Sequence, residues 1–268
     1  MASLSNITYS QDECVSAIRD YYYFLSKLYL DDTDFIIPPA GGWPTITMEN
    51  LRGFGKSNEV ISLLRALPYI RGVNSGGVEL EGAPQTSFAD YQGLSVNPTM
   101  STTDLKIMTE GAEDCNDVPP HVVSLTHGGR DNDVFLLDTQ LGIVYWLRCY
   151  DEIMCHPKWS ERMVMDDPCD FAPENEEGWR SSNPAWAIAD FFELLKDHFR
   201  SLQFIPLGRR LVAENFSDAA GGEEGMRHMV QDIYRGYGWP NIEQYRKQEC
   251  LEAVNTALRR SYPSLELH

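Results

Sequence analysis

Residues 121–147 hold three apolar runs in close succession, and no other stretch limits the fold so tightly. Val122, Val123 and Leu125 open the first run. Val134, Phe135, Leu136 and Leu137 form the second, and Ile143, Val144, Tyr145, Trp146 and Leu147 the third. β-Branched and aromatic side chains dominate, and these pack best on a pleated surface. Gly128-Gly129-Arg130-Asp131-Asn132-Asp133 supplies one turn and Asp138-Thr139-Gln140-Leu141-Gly142 the next, because Gly, Asn and Asp tolerate positive φ. Linkers this short return consecutive strands antiparallel. The second and third runs barely alternate between apolar and polar. Both faces of the sheet therefore need cover, and helices elsewhere must provide it.

The flanking sequence offers such helices. In residues 12–30, Cys14, Ile18, Tyr21, Tyr22, Leu25 and Leu28 recur at helical spacing, so Tyr21-Tyr22-Tyr23-Phe24 reads as part of a helix that buries one aromatic side. Residues 36–44 contain three prolines and two glycines and cannot be helical. Thr47 is expected to cap a short helix over residues 48–54, and Ser57 to cap another that ends before Pro68. Tyr69-Ile70-Arg71 follows as a short strand. Asn183-Pro184 has the form of a helix start, with Ile188, Phe192, Leu195 and Phe199 on one face. Phe204-Ile205-Pro206-Leu207 adds a short strand. Met226, Met229, Val230, Ile233 and Tyr234 form a helical stripe that reads as core. Asn241 with Gln244 predicts a capping box for the final helix, which Pro263 follows.

Two stretches look irregular. Residues 72–116 are rich in Gly, Ser, Thr and Pro, with Phe88, Tyr91 and residues 105–108 as short strands at most. Residues 149–183 are loop-like and acidic toward their end, through Asp166, Asp167, Asp170, Glu174, Glu176 and Glu177. A local echo, G-W-P-x-I, occurs at Gly42 and again at Gly238, each time before an expected helix. Its physical reading is a large ring that pins the chain entry.

The expected architecture is therefore α+β: one domain over residues 1–268, an antiparallel sheet covered by helices, and a helical C-terminal part. Charge narrows the function. The chain carries 22 basic and 40 acidic residues, a formal charge of −18. Nucleic-acid backbones and anionic membrane surfaces need basic patches, so neither is an expected partner. A protein partner, basic in character, is expected instead. No run of about 18 apolar residues occurs. The first residues have neither a basic nor an apolar leader pattern, so a cytoplasmic location is expected. Cys14, Cys115, Cys149, Cys155, Cys169 and Cys250 are scattered in the manner of reduced thiols.

Asp133-Val134-Phe135-Leu136-Leu137-Asp138, then Gly142-Ile143-Val144-Tyr145, then Ala187-Ile188-Ala189-Asp190-Phe191-Phe192-Glu193-Leu194-Leu195 resemble the SUKH superfamily over residues 121–199. That superfamily includes the fungal cell-wall assembly regulator and bacterial toxin-immunity proteins. The resemblance implies a twisted sheet packed by helices and a role in protein binding rather than catalysis. The outer segments are similar to a set of filamentous-fungal proteins, which implies a fungal source.

The candidate chemistry is sparse. Cys149, Cys155, His156 and Cys169 have zinc-ligand types, without the paired short spacing of a strong zinc motif. His127 lies near Asp131, Asp133 and Asp138, an acid–base combination in principle, but turn aspartates usually bind backbone amides. No G-x-S-x-G elbow or H-E-x-x-H pair occurs. Gly53-Phe54-Gly55-Lys56-Ser57 ends like a phosphate loop but lacks the leading glycine that a backbone cradle needs. No catalytic residue and no cofactor is assigned. The binding residues expected are Trp43 and the turn aspartates Asp131, Asp133 and Asp138, with the loops of 72–116 and 149–183 as a contact surface. The leading function is a non-enzymatic binding or regulatory module. The alternative is an enzyme or accessory protein of fungal secondary metabolism, with a small-molecule pocket lined by residues 21–24 and the Trp43 loop. The purified protein is expected to contain no stoichiometric metal. Elemental analysis showing one zinc per chain would instead make Cys149, Cys155, His156 and Cys169 its ligands.

Overall fold

Ser10 starts the first helix: its hydroxyl accepts from the Glu13 amide, and Asp12 and Glu13 oppose the positive end of the helix dipole. This helix, α1 (Gln11–Leu28), buries Tyr21, Tyr22, Phe24, Leu25 and Leu28 on its inner side. The computed structural model describes residues 2–51, 53–73, 76–97, 101–110, 118–127, 132–216 and 225–263. After α1 come β1 (Phe35–Ile36), α2 (Asn58–Ala66), β2 (Tyr69–Ile70), β3 (Glu81–Ala83), β4 (Thr86–Ser87), α3 (Tyr91–Ser95) and α4 (Thr102–Glu110). The central strands follow: β5 (Val122–Ser124), β6 (Val134–Asp138) and β7 (Ile143–Leu147). Then come α5 (Asp151–Met154), α6 (Pro157–Ser160), α7 (Glu174–Ser181), β8 (Ala185–Ala187), α8 (Ile188–Arg200), β9 (Phe204–Pro206), β10 (Val212–Glu214), α9 (Met226–Gly236) and α10 (Lys247–Ser261). The fold is α+β, and among the described residues every strand pair is antiparallel.

The main sheet runs β5-β6-β7-β8. Its strands alternate between two buried sides. Val123, Phe135, Leu137, Val144, Trp146 and Trp186 join the large cluster that extends from Cys14 in α1 to Leu258 in α10. Val122, Val134, Leu136, Ile143, Tyr145 and Ala185 join a smaller cluster with Trp179 of α7, flanked by Leu4, Ile7 and Val164. On the first side Phe135 and Trp146 are cross-strand partners with ring centroids 4.9 Å apart, and Phe191 of α8 stands 5.0 Å from Phe135. Edge-on aromatic contacts of this kind add to the gain from burial.

Several elements differ from the sequence reading, each for a local reason. The described residues of 48–54 form turns rather than a helix: Thr47 accepts from the Asn50 amide, but Gly53 at φ 89° closes the turn. Tyr91 and residues 105–108 are helical, not extended. Asp90 caps α3 through the Gly93 amide, and Ser101 and Asp104 cap α4 reciprocally. Asn183-Pro184 does not start α8. The Trp146 amide donates to the Pro184 carbonyl, and the open edge of β7 takes residues Ala185–Ala187 as a fourth strand. Asn241 and Gln244 form a turn ahead of α10, which begins at Lys247. Residues 149–183 contain three short α-helices and a 3-10 turn at Pro168–Asp170, and Trp159 and Trp179 are buried in α6 and α7.

The G-W-P echo has a shared geometry. Trp43 Nε1 donates to the carbonyl of Leu67, the cap of α2, and Trp239 Nε1 to that of Phe199 near the end of α8. Each indole thus satisfies a carbonyl at a helix C-terminus. The preceding glycines, at φ 80° and 100°, lie so close to neighbouring backbone that a Cβ would meet Arg65 O or Gln244 O at 2.7 Å. Gly41 has a similar φ of 89° but nothing within 4 Å. Gly42→Ala is expected to cost about 2 kcal/mol or more, and Gly41→Ala about 1 kcal/mol from backbone strain alone. Equal urea midpoints for the two variants would refute the close-approach account.

Candidate functional site

The aspartates that bound the second central strand serve the sheet itself. Asp138, fully buried at the end of β6, accepts from the amides of Gln140 and Leu141, both at 2.9 Å, and so shapes the β6–β7 turn. Its other oxygen lies 2.9 Å from Nη1 of Arg180, a buried guanidinium on α7. Arg180 also donates to Glu176 at 2.8 Å and to the Tyr145 hydroxyl at 3.1 Å, and stacks on Trp179. His121 approaches Asp138 at 3.6 Å from the strand before. This network joins β6, β7 and α7 on the smaller cluster's side of the sheet. Asp133, buried at the head of β6, accepts from Trp146 Nε1 at 3.1 Å. Asp131 lies outside the described residues, as does Cys115.

The other candidate positions are also structural. Trp43 is clipped to α2 as described. Tyr21, Tyr22 and Phe24 are buried in the main cluster, with Tyr21 packed on Phe88 and Phe192. They make core, not the lining of the cavity expected beside them. Lys56 of the phosphate-loop-like run is buried against the Glu110 carboxylate and donates to the Pro119 carbonyl, while Ser57 caps α2.

The zinc set does not assemble. Among the described residues, no three His, Cys, Asp or Glu side chains gather to hold a metal ion. Cys149 is half-buried at the exit of β7, Cys155 is exposed between α5 and α6, and Cys169 is exposed with its thiol 3.8 Å from Glu177. His156 instead faces His198 of α8, ring centroids 6.0 Å apart. These two imidazoles line a cleft of about 640 Å³ with Glu152, Asp197, Gln203 and Asn215. His198 is buried against Phe204 and Phe216, and burial with the nearby His156 lowers its pKa to about 4, so it stays neutral at physiological pH. Asp197 is engaged by Lys158 at 2.9 Å and gives no oriented acid–base pair.

The acidic stretch is rigidly mounted. The Val164 amide donates to Ala185 O at 2.8 Å, Met163 bridges to Trp186, and Asp166 accepts from the Leu4 amide. Every Lys and Arg of residues 151–181 is engaged: Lys158 by Asp197, Arg162 by Asp190, and Arg180 by Asp138 and Glu176. Asp151, Glu152, Glu161, Asp170 and Glu174 are exposed and form no ion pair among the described residues. Sequence reasoning singled out Asp170 and Glu174 but not Asp151, Glu152 or Glu161, and it missed the anchoring of the segment by buried Trp159 and Trp179. No family model, curated protein or solved structure matches the chain.

Burial pushes the Asp133 carboxyl up to about 7, although the Trp146 N–H and Arg148 favour its charged form. The folded protein therefore keeps a proton that the unfolded chain releases above its ordinary value of 3.8. Stability from this group is fully present below about pH 4 and declines as pH rises toward about 7. Asp133→Asn keeps an acceptor for Trp146 and removes that dependence. The variant is expected to gain about 2–3 kcal/mol on wild type between pH 5 and pH 8 in urea unfolding. A gap that stays constant over that range would show Asp133 to be ionised in the fold.

Proposed function

We propose that this chain is a non-enzymatic binding or regulatory module of SUKH type that receives a basic protein partner on the acidic face of residues 151–177. The observation that carries the reading is the imbalance of engaged charge: the bases of this segment are paired, while Asp151, Glu152, Glu161, Asp170 and Glu174 are not. A surface with an excess of unpaired negative charge steers an oppositely charged partner and sets its orientation. Asp133 and Asp138, first expected to bind a ligand, hold the sheet together instead, which moves the proposed contact surface to the acidic segment. The reading draws on the antiparallel run β5-β6-β7 and on α8 following β8, with α5, α6 and α7 in between. Among the described residues no helix is long and apolar enough to cross a membrane. The setting that fits is the cytosol of a fungal cell.

The test is affinity capture from host lysate with wild type and the E161K/D170K/E174K variant. These side chains are exposed, so the fold is retained, which circular dichroism checks. Wild type is expected to recover a basic protein that dissociates in high salt, and the variant to lose it by roughly tenfold or more. Recovery of the same protein by both forms, or of none by wild type, would overturn the reading.

A further inference from the structure

A second cleft, of about 750 Å³, lies between α10 and the tip of the β9–β10 hairpin. That volume suits a small molecule rather than a folded partner. One wall is aliphatic. Leu80, Leu207 and Val254 are buried at its base, and Leu211 and Leu251 are half-buried beside them. Val78, 48% exposed, is an apolar side chain left open at this wall.

The rim is cationic, on a chain whose net charge is −18. The hairpin tip presents Arg209 and Arg210, and the last turn of α10 presents Arg259. Arg209 is engaged by Asp31 and Asp34. Arg210 and Arg259 are exposed and make no ion pair among the described residues. Asp31 and Glu252 also line the cleft; Asp31 is taken up by Arg209 and Lys247, which leaves Glu252 as the carboxylate that opposes Arg210 and Arg259. Two free guanidinium forks above an aliphatic wall match one kind of occupant. Each fork can take a carboxylate in two parallel hydrogen bonds, and the wall can cover an apolar body.

We infer that this cleft binds a small organic anion with an aliphatic body, its carboxylate held by Arg210 and Arg259 and its body lying against Leu207, Leu251 and Val254. The inference does not depend on the acidic face, which lies in another segment of the chain. Titration calorimetry on the full chain tests it with octanoate and with its neutral counterpart, 1-octanol. Octanoate is expected to bind, and octanol more weakly. R210Q/R259Q is expected to weaken octanoate by roughly tenfold or more, as loss of charge-assisted bonds does, and to leave octanol unchanged. L251Q is expected to weaken both. No binding of octanoate, equal affinity for octanol, or wild-type affinity in R210Q/R259Q would each overturn the inference. Sedimentation of the protein with phosphatidylglycerol vesicles without binding of dissolved octanoate would also overturn it, in favour of a membrane surface.

Discussion

Two central strands with no solvent-facing side set the terms for the rest of the molecule. All five residues of β6 and all five of β7 are buried. An antiparallel sheet often leaves one face to water, but this one cannot. The helices α1 and α8 cover one side, through Phe191, Phe192 and the inner residues of α1. Trp179 of α7, with Leu4 and Ile7 from the start of the chain, covers the other. Segments far apart in sequence are drawn to the sheet because each brings the apolar surface it lacks. The edge strand β8 follows from the same requirement, since β7 would otherwise leave its outer amides and carbonyls unpaired in a buried setting.

A sheet covered on both faces leaves no water for polar groups at strand ends, so these must find partners inside. Asp138 does so with two turn amides and Arg180, and Asp133 does so with Trp146. The two outcomes differ. Asp138 meets a guanidinium that Glu176 and Tyr145 also hold, whereas Asp133 meets a neutral indole and retains its proton to about pH 7. Removing one member of a buried charged network leaves the others desolvated and unpaired, so Arg180 ties α7 to the sheet more firmly than its apolar contacts alone would.

This internal use of polar groups shapes the functional reading. Asp133, Asp138 and Lys56, which invite a functional reading in sequence, are engaged with neighbouring side chains or backbone. Among the described residues, the exposed charges that form no ion pair include acids on the segment after β7 and two arginines beside the aliphatic wall near α10. A basic macromolecule is the partner proposed for the first, and a small anion the ligand proposed for the second. The two are separate surfaces with opposite charge, so occupation of one need not hinder the other.

The hydrophobic runs and turn residues of 121–147 were enough to determine an antiparallel meander with both sides covered, because side-chain alternation and short turns act locally. The caps at Ser57 and the core role of Tyr21 and Tyr22 were legible for the same reason. The capping of α3 and α4 by Asp90, Ser101 and Asp104 was also local chemistry, but it was hidden in a stretch whose glycines and prolines suggested loop. The fourth strand at Ala185–Ala187, the union of Asp138 with Arg180, the meeting of His156 with His198, and the cleft beside Arg210 and Arg259 were decided only by tertiary structure. Each joins residues whose separation in the chain carries no periodic or spacing signal. Their contact arises from how the helices close over the sheet.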